Sequence, residues 1–333
     1  MSSLSATMEE LDGHPTVVLR DGDRGHEAHV LPSVGANCIV YRLNGDAGPI
    51  DVLYPPDTAE AVRDRPSGFG IPILFPFPNR IENGRFLFDG SVHQLDRPAD
   101  GGHTIHGFVL DRPWVVTATG ASRAGGAWTR LQFRSKGFPE IDRQFPFPFE
   151  GAAIYRLQDG ALTLEIEATN TGETDMPAGL GMHPYFPLPI SGDGDRGACA
   201  VQMPAERRWV LRPDCIPTGE VRPVSGNYDL REPTPLRDLY YDDVWTDLSL
   251  SDGWSRCVYR DPAAGLSIAM EADGVFRELV LYAPEQRPVI CFEPYTCTTD
   301  AVNLEERGID SGLNRLSPGE TLKGTMRIIP ELA

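Results

Sequence analysis

Turn-forming residues interrupt this chain so often that long helices have no room between them. The 333 residues include 34 glycines and 30 prolines, which are spread through the chain without a repeat period. Glycine and proline mark turns, and short strands joined by such turns are typical of all-β sandwiches and barrels. The only segment that favours a helix is short, from Asp57 to Arg65. Because a parallel α/β fold needs a helix between successive strands, that fold class is excluded.

Two segments show the strand pattern most clearly. In ALTLEIEAT, residues 161–169, apolar and polar residues alternate, which predicts a strand with one solvent-facing side. In RFLFDGSVHQL, residues 85–95, the pair Asp89-Gly90 separates two β-prone runs and predicts a hairpin. No shift in composition and no long linker divides the chain. We therefore predict a single domain, residues 1–333, with an all-β fold: a large antiparallel β-sandwich with few short helices.

The charge and the N-terminal segment narrow the classes of partner and the location. The formal net charge is −18, so most of the surface would repel a nucleic-acid backbone or an anionic membrane. The start, MSSLSATMEELDGH, lacks the apolar core of a secretory signal, and no apolar run reaches membrane-spanning length. The six cysteines include no CxxC pair, so no disulfide framework is expected. These features predict a cytoplasmic protein without nucleic-acid or membrane partners, as a monomer or weak dimer.

Three of the seven histidines occur in two motifs that suit different roles. His183 lies in GMHPYF, where two aromatic residues follow that are suited to stacking on a sugar ring, although a structural histidine at a strand end fits the same pattern. His103 and His106 lie in GGHTIHGF. Side chains three residues apart on a strand point to opposite faces, and no HExxH or CxxC motif accompanies them, so we expect no metal site. His106 precedes Gly107, which permits close backbone approach, and is the better candidate for a ligand site.

A glutamate near the C-terminus is notable for its position after a buried strand. Residues 289–292 (VICF) form the predicted strand, and Glu293 follows at its end, just before Pro294. Partial desolvation there would raise the pKa of the carboxyl group toward the range of a general base. The alternative is a strand-end glutamate that faces solvent or pairs with an arginine.

Two further segments offer polar groups for binding a sugar. Three prolines stiffen the approach to Asn79 and Arg80, and a guanidinium on a rigid loop suits the capture of sugar hydroxyls or of a carboxylate. Asp242 and Asp243 begin a predicted strand among aromatic residues in LYYDDVWTDL, which also fits sugar recognition. For each segment the alternative is an ordinary surface group: an ion pair for the arginine, and a solvated acid for either aspartate.

Five of these motifs together resemble one known family. PFPNRIENGRFLFDG, HTIHGF, GMHPYF, YDDVW and CFEPYTCTTDAVNL occur in this order between about Phe69 and Asn303, and LSPGETLKGTMRI follows as a closing strand. In this respect the chain resembles the aldose 1-epimerase (galactose mutarotase) family. The resemblance implies a galactose mutarotase-like β-sandwich (a supersandwich) and no cofactor. It also implies an isomerase that interconverts the α and β anomers of a free aldohexose, a small monosaccharide, by ring opening.

The resemblance also implies roles for individual residues. Glu293 in the EP motif matches the catalytic base, and His183 in HPYF matches the catalytic acid. The substrate-binding positions correspond to Asn79, Arg80, His106 and Asp242, with Asp243 as the alternative to Asp242. Tyr295 and Thr299 depart from the family, in which Gln and Pro are common at these positions, and this departure leaves the preferred sugar open.

The implied chemistry needs two groups of opposite protonation state. A carboxylate, Glu293, removes the proton of the C1 hydroxyl, and an imidazolium, His183, protonates the ring oxygen. Three alternatives stay open: a glycosidase with Glu293 and Asp242 as its carboxylate pair, a non-catalytic carbohydrate-binding or sugar-sensing protein, and a mutarotase for phosphorylated sugars. For the last of these, a few local arginines would have to outweigh the net negative charge.

Overall fold

The computed structural model describes residues 4–45, 48–98 and 102–332, which form 28 strands and three short helices. The first part of the chain contains β1 Leu4–Leu11, β2 His14–Asp21, β3 His26–Leu31, β4 Asn37–Gly45, β5 Gly48–Asp51, α1 Ala59–Asp64, β6 Ile73–Leu74, β7 Arg80–Ile81, β8 Arg85–Phe88, β9 Ser91–Gln94 and β10 Thr104–Ile105. The middle part contains β11 Val115–Ser122, β12 Gly126–Arg134, α2 Pro139–Gln144, β13 Phe149–Gln158, β14 Ala161–Asn170, β15 Met176–Ala178, β16 Gly181–Met182, β17 Tyr185–Pro187, β18 Ala200–Gln202 and β19 Ala205–Leu211. The last part contains β20 Pro217–Pro223, β21 Thr234–Pro235, β22 Tyr241–Leu248, β23 Trp254–Asp261, β24 Leu266–Asp273, β25 Glu278–Ala283, β26 Val289–Tyr295, α3 Ala301–Glu306, β27 Asn314–Leu316 and β28 Thr321–Leu332.

Two large antiparallel sheets share the main hydrophobic core. The first has nine strands in the order β11-β12-β13-β14-β28-β24-β23-β18-β21, and the second has eight, β20-β19-β22-β25-β26-β16-β6 with β17 beside β26. Alternate side chains of the first sheet, such as Phe133 and Leu164, enter the same buried cluster as Leu281 and Phe292 of the second. The predicted all-β antiparallel sandwich is therefore confirmed.

A third sheet, formed by β1 to β5 in chain order, covers part of the nine-stranded sheet. Two tyrosine hydroxyls tie these layers together: Tyr155 donates to the Ala36 carbonyl at 2.9 Å, and Tyr41 donates to the Gly160 carbonyl at 2.8 Å. The main buried cluster draws on all three sheets, from Val17 to strand β28. Because the sheets share one core, we propose that the chain forms a single domain.

The predicted hairpin at Asp89-Gly90 is present as β8 and β9. Both turn residues have positive φ, 49° and 75°, which is the geometry of the two-residue turn that suits the twist of paired strands. The predicted helix is also present but shorter, as α1, and begins after Thr58, whose hydroxyl accepts from the Ala61 N–H.

The prediction of few short helices is confirmed: α2 and α3 form beside α1, which is the one helix that the sequence locates. Each of the other two spans six residues, which is less than two turns and too short to show a helical period in the sequence. Local signals are present in α2, which begins with Pro139 and carries Glu140 in its first turn and Arg143 in its last. Within the described residues, no helix is long and apolar enough to cross a membrane.

Candidate active site

The register of strand β26 determines which residues face each other at the site. On one edge of β26, Gly181 of β16 pairs with Tyr295 and Tyr185 of β17 pairs with Cys291. Continuing this antiparallel register across the gap between β16 and β17 places His183 directly opposite Glu293. Side chains directly opposite on neighbouring antiparallel strands lie close enough to interact, so pairing alone brings these two together.

Glu293 does not lie at the end of its strand, and that expectation was wrong. Strand β25 continues to pair with β26 beyond it, with Leu279 opposite Pro294 and Glu278 opposite Tyr295. Pro294 predicts the end of the strand, but the pairing partner on β25 extends the ladder by two residues. As a result Glu293 is 2% exposed rather than half-solvated.

Four side chains form a hydrogen-bonded cluster around this carboxyl group. His183 Nε2 lies 3.2 Å from Glu293 Oε1, and the Tyr295 hydroxyl donates to Oε2 of the same group. The Tyr185 hydroxyl lies 3.2 Å from His183 Nε2, and its ring stacks on the imidazole at 4.4 Å with an interplanar angle of 7°. Tyr295 was noted in the sequence only as a departure from the family; its contact with Glu293 was not foreseen.

Burial disfavours the charged form of both groups in the pair. It raises the pKa of Glu293 well above its usual value, an effect that the hydrogen bond from Tyr295 opposes. It lowers the pKa of His183 well below its usual value, and the nearby His106 and Arg287 add to this effect. The imidazolium expected from the sequence is therefore the less favoured form before substrate binds. A protonated Glu293 beside a neutral His183 holds the same single proton as the ion pair.

Asn79 and His106 are joined beside the pair by one hydrogen bond to the His106 ring and one between their backbones. The Asn79 N–H donates to His106 Nδ1 at 3.3 Å, and the His106 N–H donates to the Asn79 carbonyl at 2.9 Å. Because burial lowers the pKa of His106 to about 3, its ring is neutral, and with Nδ1 accepting, the proton lies on Nε2. His106 and Gly107 have positive φ, and a Cβ on Gly107 would collide with the Phe75 carbonyl, so glycine is required there.

Arg80 and Asp242 form the other polar part of the site. Arg80 Nη1 donates to Asn79 Oδ1 at 2.9 Å, and Nη2 lies 3.5 Å from Asp242 Oδ2. Asp242 is opposite Tyr282 of β25, and Tyr282 is opposite Cys291 of β26. Cys291 and Glu293 are two residues apart on one strand and share a face, so the Asp242 side chain is on the same face of the sheet as Glu293.

Asp243 points to the other face of the same sheet. It lies opposite Leu281, whose side chain is in the main core, and burial raises the pKa of its carboxyl group. Between the two candidate aspartates, the structure therefore brings Asp242, and not Asp243, to the site.

A pocket of about 580 Å³ brings all six candidate residues together. Its lining consists of Arg65, Ser67, Asn79, Arg80, Ile105, His106, His183, Tyr185, Asp242, Tyr282, Arg287 and Glu293. Half of these are not among the six candidates. Tyr185 is one of the two aromatic residues that the sequence suggests for stacking on a sugar, and its ring stacks on His183. Arg65 is the last residue of the predicted helix and directly follows α1, whereas Ser67 and Arg287 come from turns without a motif. His103 is not in this lining; it accepts from the Asn83 N–H at 3.1 Å and lies 3.4 Å from Asp214.

One group in the described part of the chain has the composition of a metal site. Donor atoms of His183, Cys291 and Glu293 lie within 4.8 Å of one another. Burial raises the pKa of the Cys291 thiol well above its usual value, so the thiol keeps its proton. An ion would have to displace that proton, the hydrogen bond from Tyr295 to Glu293 and the close contact between Glu293 and His183. The arrangement is better suited to proton transfer than to ion binding.

Known proteins with similar sequences include uncharacterised ones and mutarotases. The uncharacterised protein YihR of Escherichia coli (strain K12) is 24% identical over 242 residues, which cover 72% of each chain. The galactose mutarotase of Sus scrofa is 28% identical over 159 residues, which cover 47% of this chain and 44% of that protein.

Solved structures show the same fold over nearly the whole chain. A galactose mutarotase-like protein from Clostridium acetobutylicum superposes with a TM-score of 0.88 at 22% identity, covering 99% of both chains. The galactose 1-epimerase of Lactobacillus acidophilus NCFM superposes with a TM-score of 0.77 at 18% identity, again covering 99% of both chains. At these identities the likeness establishes the fold.

The family follows from the sequence match. The model of the family described as Aldose 1-epimerase matches residues 15–328, which include every candidate site residue. The chain therefore belongs to the aldose 1-epimerase family, a family of isomerases.

Proposed function

We propose that the protein is an aldose 1-epimerase that interconverts the α and β anomers of a free aldohexose by opening and closing the sugar ring. In this proposal Glu293 is the base and His183 is the acid. The observation that carries it is the buried contact of 3.2 Å between these two groups, at the base of a pocket lined with polar side chains. Family membership supports the reaction class.

The reaction conserves the single proton that the pair holds. A bound sugar replaces the Glu293–His183 contact, so that the C1 hydroxyl faces the carboxylate and the ring oxygen faces His183 Nε2. Glu293 takes the hydroxyl proton while the bond between C1 and the ring oxygen breaks, and the ring oxygen takes the proton from the imidazolium. After rotation about C1–C2 the ring closes on the other face of C1, and both protons return to their starting atoms.

Burial strengthens the acid and the base of the reactive ion pair, and the same burial makes this ion pair the less populated form before substrate binds. Because burial raises the pKa of Glu293, its carboxylate is a stronger base than one in water, and because it lowers the pKa of His183, the imidazolium is a stronger acid. The transfers convert a buried ion pair into two neutral groups. Each positioned acid or base typically contributes about 10²–10⁴-fold to the rate.

The remaining polar groups are proposed to hold the sugar hydroxyls. Neutral His106 offers its Nε2–H as a donor, and the Arg80–Asp242 pair offers a donor and an acceptor beside it. Asn79 keeps Arg80 in place through its amide oxygen. We also propose that the protein is cytoplasmic and acts as a monomer or weak dimer on a monosaccharide, without nucleic-acid or membrane partners.

Polarimetry tests the proposed reaction directly. Freshly dissolved α-glucose and α-galactose should lose optical rotation faster in proportion to the protein concentration, and heat-inactivated protein should have no effect. Aryl glycosides should release no aryl group. Steady release would instead indicate a glycosidase that uses Glu293 and Asp242, and sugar binding without faster mutarotation would indicate a carbohydrate-binding or sugar-sensing protein.

A further inference from the structure

Two arginines of the pocket converge on one turn. Arg287 Nη2 donates to the Gly68 carbonyl at 2.7 Å, and Arg65 Nε lies 3.8 Å from the position that a Cβ on Gly68 would take. Among the described residues, neither guanidinium forms an ion pair with a carboxylate. Arg80, by contrast, is paired with Asp242. One part of the pocket therefore carries two positive charges without a counter-charge.

The guanidinium of Arg287 is positioned by aromatic rings. Its central carbon lies 5.2 Å from the ring centroid of Tyr185 and 5.8 Å from that of Tyr54. A guanidinium has five N–H donors, and within the described residues only the bond to Gly68 uses one of them. Most of its donors are therefore available to a ligand.

The proposed reaction determines which end of the sugar reaches these arginines. The ring oxygen faces His183, and C5, which carries C6, is bonded to that oxygen. Tyr185 stacks on His183 and Arg287 lies over Tyr185, so the His183 side of the pocket leads to the two arginines. Asp242 and Arg80, in contrast, lie on the side of Glu293. Their charges influence the pKa of Glu293, although less than burial and the hydrogen bond from Tyr295 do. The C6 substituent therefore points toward Arg65 and Arg287.

We infer that the preferred substrate is an aldohexose with an anionic oxygen group on C6, bound by Arg65 and Arg287. This inference rests on the reaction of the proposed function, the exchange of anomers at C1, and replaces the free aldohexose named there by one that carries a charged group on C6. Arginine binds phosphate and carboxylate oxygens through two parallel N–H bonds, which favours it over lysine for such groups. The net charge of −18 does not prevent this, because charges farther away than the Debye length, about 8 Å at physiological ionic strength, are largely screened.

Anomer exchange at equilibrium, measured by saturation-transfer NMR, tests the inference. We would compare kcat/KM for glucose, glucose 6-phosphate and glucuronate after subtracting the rate without protein. At least one charged sugar should exceed glucose by about tenfold or more, as expected for charge-assisted hydrogen bonds. The preference should narrow at about 1 M salt, where the Debye length is about 3 Å. A preference for glucose 6-phosphate would indicate a site for phosphate, and a preference for glucuronate would indicate a site for carboxylate.

Variants localise the effect to the two arginines. Arg65→Gln and Arg287→Gln should each lower kcat/KM for the charged sugar at least about ten times more than for glucose. Arg65 is exposed, so its variant keeps the test available if Arg287→Gln impairs folding. Arg123→Gln removes the same charge from an exposed residue outside the pocket lining and should change neither rate.

Two kinds of result are decisive. If glucose is exchanged as fast as both charged sugars, or if the variants lower all rates equally, the inference is overturned while the proposed function stands. If the wild-type protein exchanges none of the sugars, the proposed function fails, and this inference fails with it.

Discussion

The Tyr295 hydroxyl donates to Glu293 Oε2, and Tyr295→Phe removes this hydrogen bond while keeping the buried ring. The bond stabilises the carboxylate but not the protonated acid, so its loss raises the pKa of Glu293 further. A hydrogen bond to a charged group contributes about 1.5–3 kcal/mol, and 1.36 kcal/mol corresponds to one pH unit. The alkaline limb of the pH–rate profile, where the pair loses its proton from Glu293, should therefore move to higher pH by about one to two units.

The direction follows from the proton that the pair must hold. Catalysis needs the pair to hold one proton, and the alkaline limb marks the pH at which Glu293 loses that proton beside the neutral His183. A carboxyl group that holds its proton more tightly keeps the pair active to a higher pH. At its plateau the variant should be slower, because a smaller share of the pair is in the ion-pair form that reacts.

The assay is polarimetric kcat/KM for wild-type protein and variant between about pH 4 and pH 9. Tyr155→Phe is a matched control, since Tyr155 is also buried but its hydroxyl donates to the Ala36 backbone at 2.9 Å, away from the pocket. The control should leave the limb in place. An alkaline limb that stays where it is, or moves to lower pH, in Tyr295→Phe would refute the claim that Tyr295 stabilises the Glu293 carboxylate.

Three further predictions follow from the same structure. Burial raises the pKa of Glu278 to about 8, so the folded state binds its proton more tightly than the unfolded state, and stability falls as the pH rises from about 4.5 to about 8. Glu278→Gln should make Tm fall less steeply with pH over this range. A slope of Tm against pH equal to that of the wild-type protein would contradict the prediction. Exhaustive chelation should leave mutarotation unchanged, and a loss of activity that zinc restores would show that a metal takes part. Arg80→Ala and Asp242→Ala should raise KM more than they lower kcat, and a normal KM in both variants would exclude a role in holding the sugar.

The fold class was predictable because its signals are local. Glycine and proline at turns and period-two alternation are visible in short windows, and β14 and the β8–β9 hairpin follow from them. The two missed helices are too short to carry a period. The full length of β26 depends on its pairing with β25, and a short sequence segment around Glu293 does not include that partner strand.

The site was predictable where its residues lie in motifs, and not where tertiary structure alone brings them in. His183 and Glu293 are candidates from their local context and take their roles from the family resemblance, but their direct opposition follows from strand register. Arg65 and Arg287 come from separate parts of the chain that meet at Gly68. The preference of the pair for its neutral form depends on burial, which raises the pKa of Glu293 and lowers that of His183. Burial is a result of the tertiary structure and cannot be read from the local sequence.

The most direct test of the central claim is the rate of mutarotation in Glu293→Gln. Glutamine keeps the size of the side chain and an oxygen for the Tyr295 hydroxyl, but it cannot accept the C1 hydroxyl proton as a base. If Glu293 and His183 move the protons, kcat should fall by at least about 10²-fold with KM much less affected, and His183→Asn should behave in the same way. Mutarotation near the wild-type rate in a Glu293→Gln protein that still binds sugar would show that Glu293 is not the base.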